Sequence, residues 1–398
     1  MRKKTRKILI LAIKGLIAVG LLAWVLSGVH WRDYVQDRKG RTCTVLAEQR
    51  TSDGARGLRV AVGPHWSGGS EVRPEEDFVP MPSTRQVVRP GFATSLRRIH
   101  VTWALLGAAG FGAALLLAAV RWRMLLRVQD IDVSLWEAVR LTFLGQFFNS
   151  VVPGTVGGDL VKAYYVAKHT PKKAAVLMSV FVDRLVGLVG LALMAAGMLV
   201  VVLAGGLVKD FAEVRLPVFC VGAILAAVAG LLAFLFSGRF RRALRLERLY
   251  QRLPIAHHIA AAGDAMRLYV ERFGSLAGVL AVTVAAHLCF VGFVALAGLS
   301  LSLPVPWHAY FVYVPLIYII GAVPLTPGGV GWVENWYVKF FQGPHIGASV
   351  VLALALLARL IPVLWGLPGA VVAVTGARPP RAAAIEAELT AAEGHGGL

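Results

Sequence analysis

The sequence predicts an all-α polytopic membrane protein with about six full spans, two inverted re-entrant helical hairpins and a small extracytoplasmic insert. Three observations carry this. Of 398 residues, 57% are hydrophobic and 16% charged, with a mean hydropathy of +0.67, too little polar surface for a soluble domain. The apolar residues form long blocks without a helical period, each able to cross a bilayer core of about 30 Å. One helix-breaking phrase also occurs twice, as VVPGTVGG at 151–158 and as AVPLTPGG at 322–329.

Taken in order, residues 1–27 begin MRKKTRK and continue into an apolar run with no convincing A-x-A cleavage site. This reads as an uncleaved first span, 8–27, with Lys14 snorkelling to the cytoplasmic edge. Residues 28–100 hold twelve Lys/Arg and eight acids. The runs CTVLAEQ and LRVAVG, set among turn residues, predict a small β-rich insert, and span parity puts it outside. Further spans follow near 101–120, 176–205, 216–237, 275–302 and 346–375, the last with kinks expected at Pro362 and Pro368. Segment 238–274 reads as amphipathic helices on the cytoplasmic surface. The tail, 376–398, is Ala-rich. The domain plan is therefore an anchor (1–27), an insert (28–100), a membrane domain (101–375) and a tail (376–398).

Basic residues set the orientation. Residues 1–7 carry five Lys/Arg, 159–173 four Lys, and 238–274 eight Arg against three acids, all cytoplasmic by the positive-inside rule, while 206–215 and 303–307 belong outside. Both termini are then cytoplasmic, in a bacterial-type inner membrane. The net charge of +19 fits an anionic membrane face, since its basic residues flank the apolar blocks and no nucleic-acid motif is present. Cys43, Cys220 and Cys289 form neither a disulfide framework nor a zinc pattern. The adjacent His257 and His258 would face different ways on a helix. No metal and no cofactor are expected.

Two segments remain, 134–158 and 305–330. Aligning Trp136 with Trp307 gives seven identities in 23 positions without a gap, through Gly158 and Gly329. Beyond a short gap, VDRLVGLVG (182–190) resembles ARLIPVLWG (358–366), which brings Arg184 opposite Arg359. Chance is the alternative, since Gly, Val and Leu abound in membrane proteins. Internal symmetry with a broken helix in each half is a sign of a transporter site, here with repeats at about 134–205 and 305–375. The tips are marked by Pro153, Pro324 and Pro327. Broken ends expose N–H groups that suit anions, so Gly157, Gly158, Gly328 and Gly329 are candidate headgroup contacts. Thr155 and Thr326 would cap or donate there.

Charges lie inside the apolar blocks, where each costs roughly 2.5–3.5 kcal/mol on insertion scales. Arg184 and Arg359 are expected to bind the phosphate of an anionic headgroup, for which the guanidinium fork is suited. Asp183, Glu334, Asp159 and Lys162 are the expected charge partners, with Asp183 or Glu334 orienting an arginine or carrying a coupling proton. The competing reading is a set of ion pairs that only locks helices together. His287 is expected to bridge helices. Tyr and Trp near 307–318 and 332–337 read as interfacial belts or as the lining of a lipid path.

The stretches GQFFNSVVPGTVGGDLVKAYYV, VFVDRLVGLVG and VPLTPGGVGWVENW resemble the lysylphosphatidylglycerol synthase transmembrane family, the flippase-like membrane domain also found in the multiple peptide resistance factor. The resemblance covers roughly 101–375. Pro327, Gly328, Gly329, Gly331 and Glu334 stand at the family's signature positions, as do Asp183 and Arg184. It implies handling of membrane lipids, aminoacylated phosphatidylglycerol in some members and glycolipids or hopanoids in others. Two departures are the expected lack of a soluble aminoacyltransferase domain and the 28–100 insert. The expected function is a flippase for an anionic or modified lipid. The alternative is a non-transporting lipid-binding partner whose insert docks an envelope-lipid enzyme. An enzyme in its own right is the weakest reading, because no Ser–His–Asp set, metal spacing or P-loop is present.

Overall fold

The computed structural model describes residues 20, 23, 27, 29–38, 41–51, 56–61, 69–80, 86–151, 157–207, 211–236, 268, 269, 271–323, 325–343 and 346–375. Most of the predicted first span and of 238–274, the tail, and Lys14, Pro153, Thr155, His257, His258 and Pro324 lie outside the described residues.

The insert is β-structured, as its alternating runs predict. Strands β1 (Tyr34–Gln36), β2 (Thr42–Arg50), β3 (Arg56–Ala61) and β4 (Ser70–Pro74) pair antiparallel in chain order. On β3, Leu58 and Val60 point inward and Arg59 outward, the period of two of a half-buried strand. Val35, Phe78 and Val87 complete that core. A short helix, α1 (Phe92–Arg97), leads to the main helices: α2 (Val101–Val128), α3 (Leu135–Val151), α4 (Gly157–Ala167), α5 (Lys173–Ala204), α6 (Phe211–Phe236), α7 (Phe273–Ser300), α8 (Trp307–Gly321), α9 (Trp332–Phe341) and α10 (Ala348–Thr375). Among the described residues, four helices are long and apolar enough to cross a membrane: α2, α5, α10 and the 276–300 part of α7. Helix α6 adds a shorter apolar stretch, Val214–Gly230. Helix α10 continues through both Pro362 and Pro368.

The helices α2–α5 recur as α7–α10 in the same order: a long helix, the two helices of a hairpin, and a second long helix. Paired lengths are 28 and 28, 17 and 15, 11 and 10, and 32 and 28 residues. The copies also share a backbone turn without sharing its sequence. Asp130 (φ 54°) and Ser302 (φ 55°), the only described non-glycine residues in the left-handed region, sit just past α2 and α7. In each turn an N–H closes back across the helix end, Ile131 to the Leu126 carbonyl (3.1 Å) and Leu303 to that of Gly298 (3.0 Å). This left-handed closure satisfies carbonyls that a helix end otherwise leaves open. The duplication therefore starts one helix earlier in each copy than the sequence match at 134 and 305.

The chain divides into two compact units. One comprises 1–111, 191–222 and 288–361. Here the insert seats on the start of α10: Val29 packs with Leu352, Phe92 and Val338, and the His30 N–H donates to Ser349 Oγ (3.0 Å). Helices α8 and α9 close through aromatic pairs, Tyr310 with Phe341 and Tyr313 with both Phe340 and Phe341. Tyr310 and Tyr337 are buried, whereas Trp307 is 60% exposed. Within 307–337 the belt reading thus suits Trp307, and those two tyrosines are hairpin core.

The other unit comprises 112–190, 223–287 and 362–398. Its core joins Trp122, Leu126, Leu141, Leu144, Ala163 and Val176. The turn after α2 is clamped by Arg272, which donates to the Val128 carbonyl (2.8 Å) and to Asp130 (2.7 Å). That hydrogen bond, more than the neighbouring Lys172, holds the Asp130 carboxyl below the usual range. Tyr269 donates to the Leu125 carbonyl (3.0 Å), and burial pushes its hydroxyl pKa up. His287 meets the Gly187 carbonyl (2.9 Å), linking α7 to α5 as the sequence reading expects.

Candidate functional site

Each hairpin carries one arginine–carboxylate site, and each site lies within a single unit. In the first hairpin, Gly158 lets α4 approach α3 closely: a Cβ there would stand 1.8 Å from the Gly145 carbonyl oxygen. The Gly158 N–H, at the start of α4, donates to Asn149 Oδ1 (2.9 Å). Asp159 is the third residue of α4, 7% exposed, where a helix N-terminus favours a carboxylate. Arg184, 25 residues on in α5, bonds Asp159 Oδ2 through Nε and Nη2. One turn along α4, Lys162 reaches Asp159 Oδ1 (3.2 Å) and Asp183 Oδ2 (3.7 Å), and stands 4.6 Å over the Trp122 ring. Asp183 Oδ1 accepts from Arg121 Nε (2.7 Å). The result is a continuous chain, Arg121–Asp183–Lys162–Asp159–Arg184. Four of its members are at most 9% exposed; the Arg184 side chain, at 42%, is the one that opens outward.

In the second hairpin, Pro327–Gly329 form a 3-10 turn and Gly328, Gly329 and Gly331 all take positive φ (62°, 68° and 76°). Glu334 is the third residue of α9, the place Asp159 holds in α4. Its Oε2 accepts from the Gly331 N–H (2.8 Å), and its Oε1 from Arg359 Nε (2.6 Å), again 25 residues on. Arg359 also donates from Nη1 to the Gly328 carbonyl (3.0 Å) and from Nη2 to the Gly329 carbonyl (3.3 Å). The guanidinium thus stitches the tip to α10.

The structure amends the expectation for Thr326 and makes two others specific. The arginine bonded to Asp183 is Arg121, not its neighbour Arg184. Successive helical residues point about 100° apart, so Asp183 faces Arg121 and Lys162, and Asp159 holds Arg184. Glu334 does orient Arg359. Thr326 does not cap: its hydroxyl, in a residue 3% exposed, has no hydrogen-bond partner, and its carbonyl instead accepts from the Gly329 N–H (3.1 Å). The gap in the sequence repeat falls between tip and second helix. The acid follows the paired glycines directly in one copy (Gly158, Asp159) and five residues later in the other (Gly329, Glu334). Gly157 lies beside Gly158 at the opening of α4. Sequence reasoning missed Arg121 and Asn149 as site residues. Neither is adjacent in sequence to its partner. Among the described residues no group of three His, Cys, Asp or Glu is placed to hold a metal ion.

An internal repeat of long apolar helices, each copy enclosing a hairpin whose buried carboxylate is bonded to an arginine of the next long helix, defines an integral membrane protein of duplicated architecture. The family model described as the lysylphosphatidylglycerol synthase TM region matches residues 90–369, and the chain belongs to that family. It is also similar to two UPF0104 membrane proteins of Methanothermobacter thermautotrophicus. Each is 25% identical, over 71% and 69% of this chain and 87% and 86% of the relatives. A UPF0104 membrane protein of Pyrococcus horikoshii is 23% identical, over 67% of this chain and 84% of its own length.

Proposed function

We propose that the protein is a lipid flippase of the inner membrane, moving the headgroup of an anionic or modified phospholipid or glycolipid across the bilayer at its arginine–carboxylate sites, and that it is a transporter rather than an enzyme. The observation that carries this is the same arrangement in both copies: a broken helical hairpin, an acid at the third position of its second helix, and an arginine 25 residues on bonded to that acid. Buried ionisable groups in membrane segments are costly and mark pathways by default, and paired repeats with broken helices recur in transporters.

The same reading makes the hairpins re-entrant and inverted. Helices α4 and α9, of 11 and 10 residues, rise about 15 Å each at 1.5 Å per residue, half of a core of about 30 Å. Helices α2, α5, α6, α7 and α10 with the apolar stretch 8–27 make six spans, with both termini cytoplasmic and the insert outside. A single span, α6, between the copies inverts one relative to the other.

The second reading, a lipid-presenting partner of an envelope-lipid enzyme, draws on the folded insert. A cavity of about 530 Å³ lies where Asp33, Glu48, Arg56 and Arg89 of the insert meet 301–304 and 346–350.

The test is reconstitution in liposomes carrying a fluorescent phospholipid, with an impermeant quencher added outside. The flippase reading expects inner-leaflet probe to become quenchable faster with protein than without, and faster for an anionic than for a zwitterionic headgroup. No acceleration for any headgroup by folded protein contradicts it, and co-purification of a transferase then favours the partner reading.

A further inference from the structure

The insert holds a cavity that the hairpin sites do not use. Its volume is about 530 Å³, and it lies within one compact unit, between the insert and the chain at 301–304 and 346–350. Ligand pockets usually measure about 300–1,000 Å³. Backbone bonds fix its walls. Tyr34 and Arg89 form an antiparallel bridge, each N–H donating to the other's carbonyl (3.0 and 2.8 Å). Asp33 Oδ1 accepts from the Gly91 N–H (2.8 Å), and Ser95 Oγ donates to the Gly91 carbonyl (2.8 Å). The Tyr34 side chain reaches Gly347, just before α10, where a Cβ would collide with its hydroxyl.

The lining is of two kinds. Leu301, Leu303 and Val350 are apolar, whereas Arg56, Arg89 and Arg98 come from three separate parts of the insert. Arg89 donates to the Tyr34 hydroxyl, yet its Nε is buried and has no hydrogen-bond partner among the described residues. A buried N–H without an acceptor is costly, and a guanidinium takes phosphate or carboxylate through two parallel bonds. Glu48 and Glu75 line the same cavity, which suits a single anionic group with hydroxyl or amine donors beside it rather than a polyanion.

We infer that this cavity binds one anionic group, phosphate or carboxylate, on Arg89, with Arg56 and Arg98 beside it, and that a membrane lipid headgroup carries that group. In the six-span reading, 301–304 and 346–350 are the outer ends of α7 and α10, which puts the cavity at the level of the outer headgroups. The inference rests on the lipid-transport reading for the lipid and its side of the membrane, not for the anion. Binding is measured without transport. A protein that binds here without flipping therefore fails that reading alone, and one that flips without binding here fails this inference alone.

The experiment uses detergent-solubilised full-length protein and three probes: short-chain phosphatidylglycerol, short-chain diacylglycerol, which lacks the phosphate, and glycerophosphoglycerol, which lacks the chains. Affinity is measured by titration, and slowed hydrogen exchange at the Arg89 and Gly91 amides locates the binding. Phosphatidylglycerol should slow exchange there and bind at least about tenfold tighter than diacylglycerol, the factor one charge-assisted contact supplies. R89Q should lose both effects, while R184Q, in a hairpin site, should keep the slowed exchange. Arg89 also holds Tyr34, so R89Q is first checked by its unfolding temperature. R56Q/R98Q changes two exposed side chains and should weaken binding without lowering that temperature. Glycerophosphoglycerol should bind more weakly than the lipid; equal affinity overturns the lipid as carrier. The site itself is overturned if neither phosphodiester slows exchange at Arg89 and Gly91, if a folded R89Q binds like wild type, or if R56Q/R98Q does.

Discussion

At the scale of single residues, what matters is which acid meets which base. The adjacency of Asp183 and Arg184 invites pairing them, but helix geometry separates their side chains, and Asp183 is bound to Arg121, 62 residues away, and to Lys162. Asp183 therefore holds α2, α4 and α5 together. Asp183→Ala leaves both buried cations short of a partner and should destabilise the protein by about 3–5 kcal/mol, read as a lower unfolding temperature in detergent; an unchanged temperature would contradict the network. Glu334 shows the opposite case. Its tie to the tip is local, a cap to the Gly331 N–H, so the sequence phrase alone carries it. Tertiary partners such as Arg121 and Asn149 leave no local mark, which is why they were legible only in the fold.

At the scale of elements, the hairpins depend on glycine for two physical reasons. Gly158 is a close approach: any side chain would collide with the Gly145 carbonyl of α3. Gly158→Ala should cost about 1–3 kcal/mol, as overpacking does, and should weaken α3–α4 packing before it touches the charges. A variant as stable as wild type would remove that contact from the account. In the second tip the requirement is conformational, a left-handed backbone at Gly328, Gly329 and Gly331. The paired glycines and prolines made both tips visible in sequence. The internal architecture of each hairpin was less visible, because the aromatic residues of 307–337 suit an interfacial belt as well as a packed helix pair.

At the scale of the whole molecule, the repeat is the organising fact, and the sequence revealed only part of it. Identities cluster at the tips, where backbone geometry restricts residue choice. The flanking long helices need only be apolar, so α2 and α7 diverged beyond recognition while keeping the same left-handed turn at Asp130 and Ser302. If the copies are inverted, those two exposed turns open to opposite sides of the membrane. With Cys43, Cys220 and Cys289 replaced, single cysteines at Asp132 and Ser302 should be labelled by an impermeant thiol reagent from opposite faces of sealed vesicles. Labelling of both from one face would contradict inversion and the six-span count.

The most direct measurement is the rate at which a fluorescent anionic phospholipid changes leaflets in liposomes holding wild type or Arg184→Gln, each first shown to be folded by its unfolding temperature. The account predicts acceleration by wild type and at least about a tenfold loss in the variant, the scale of one charge-assisted contact. Equal rates from two folded proteins would contradict it and leave Arg184 as part of a structural ion-pair network.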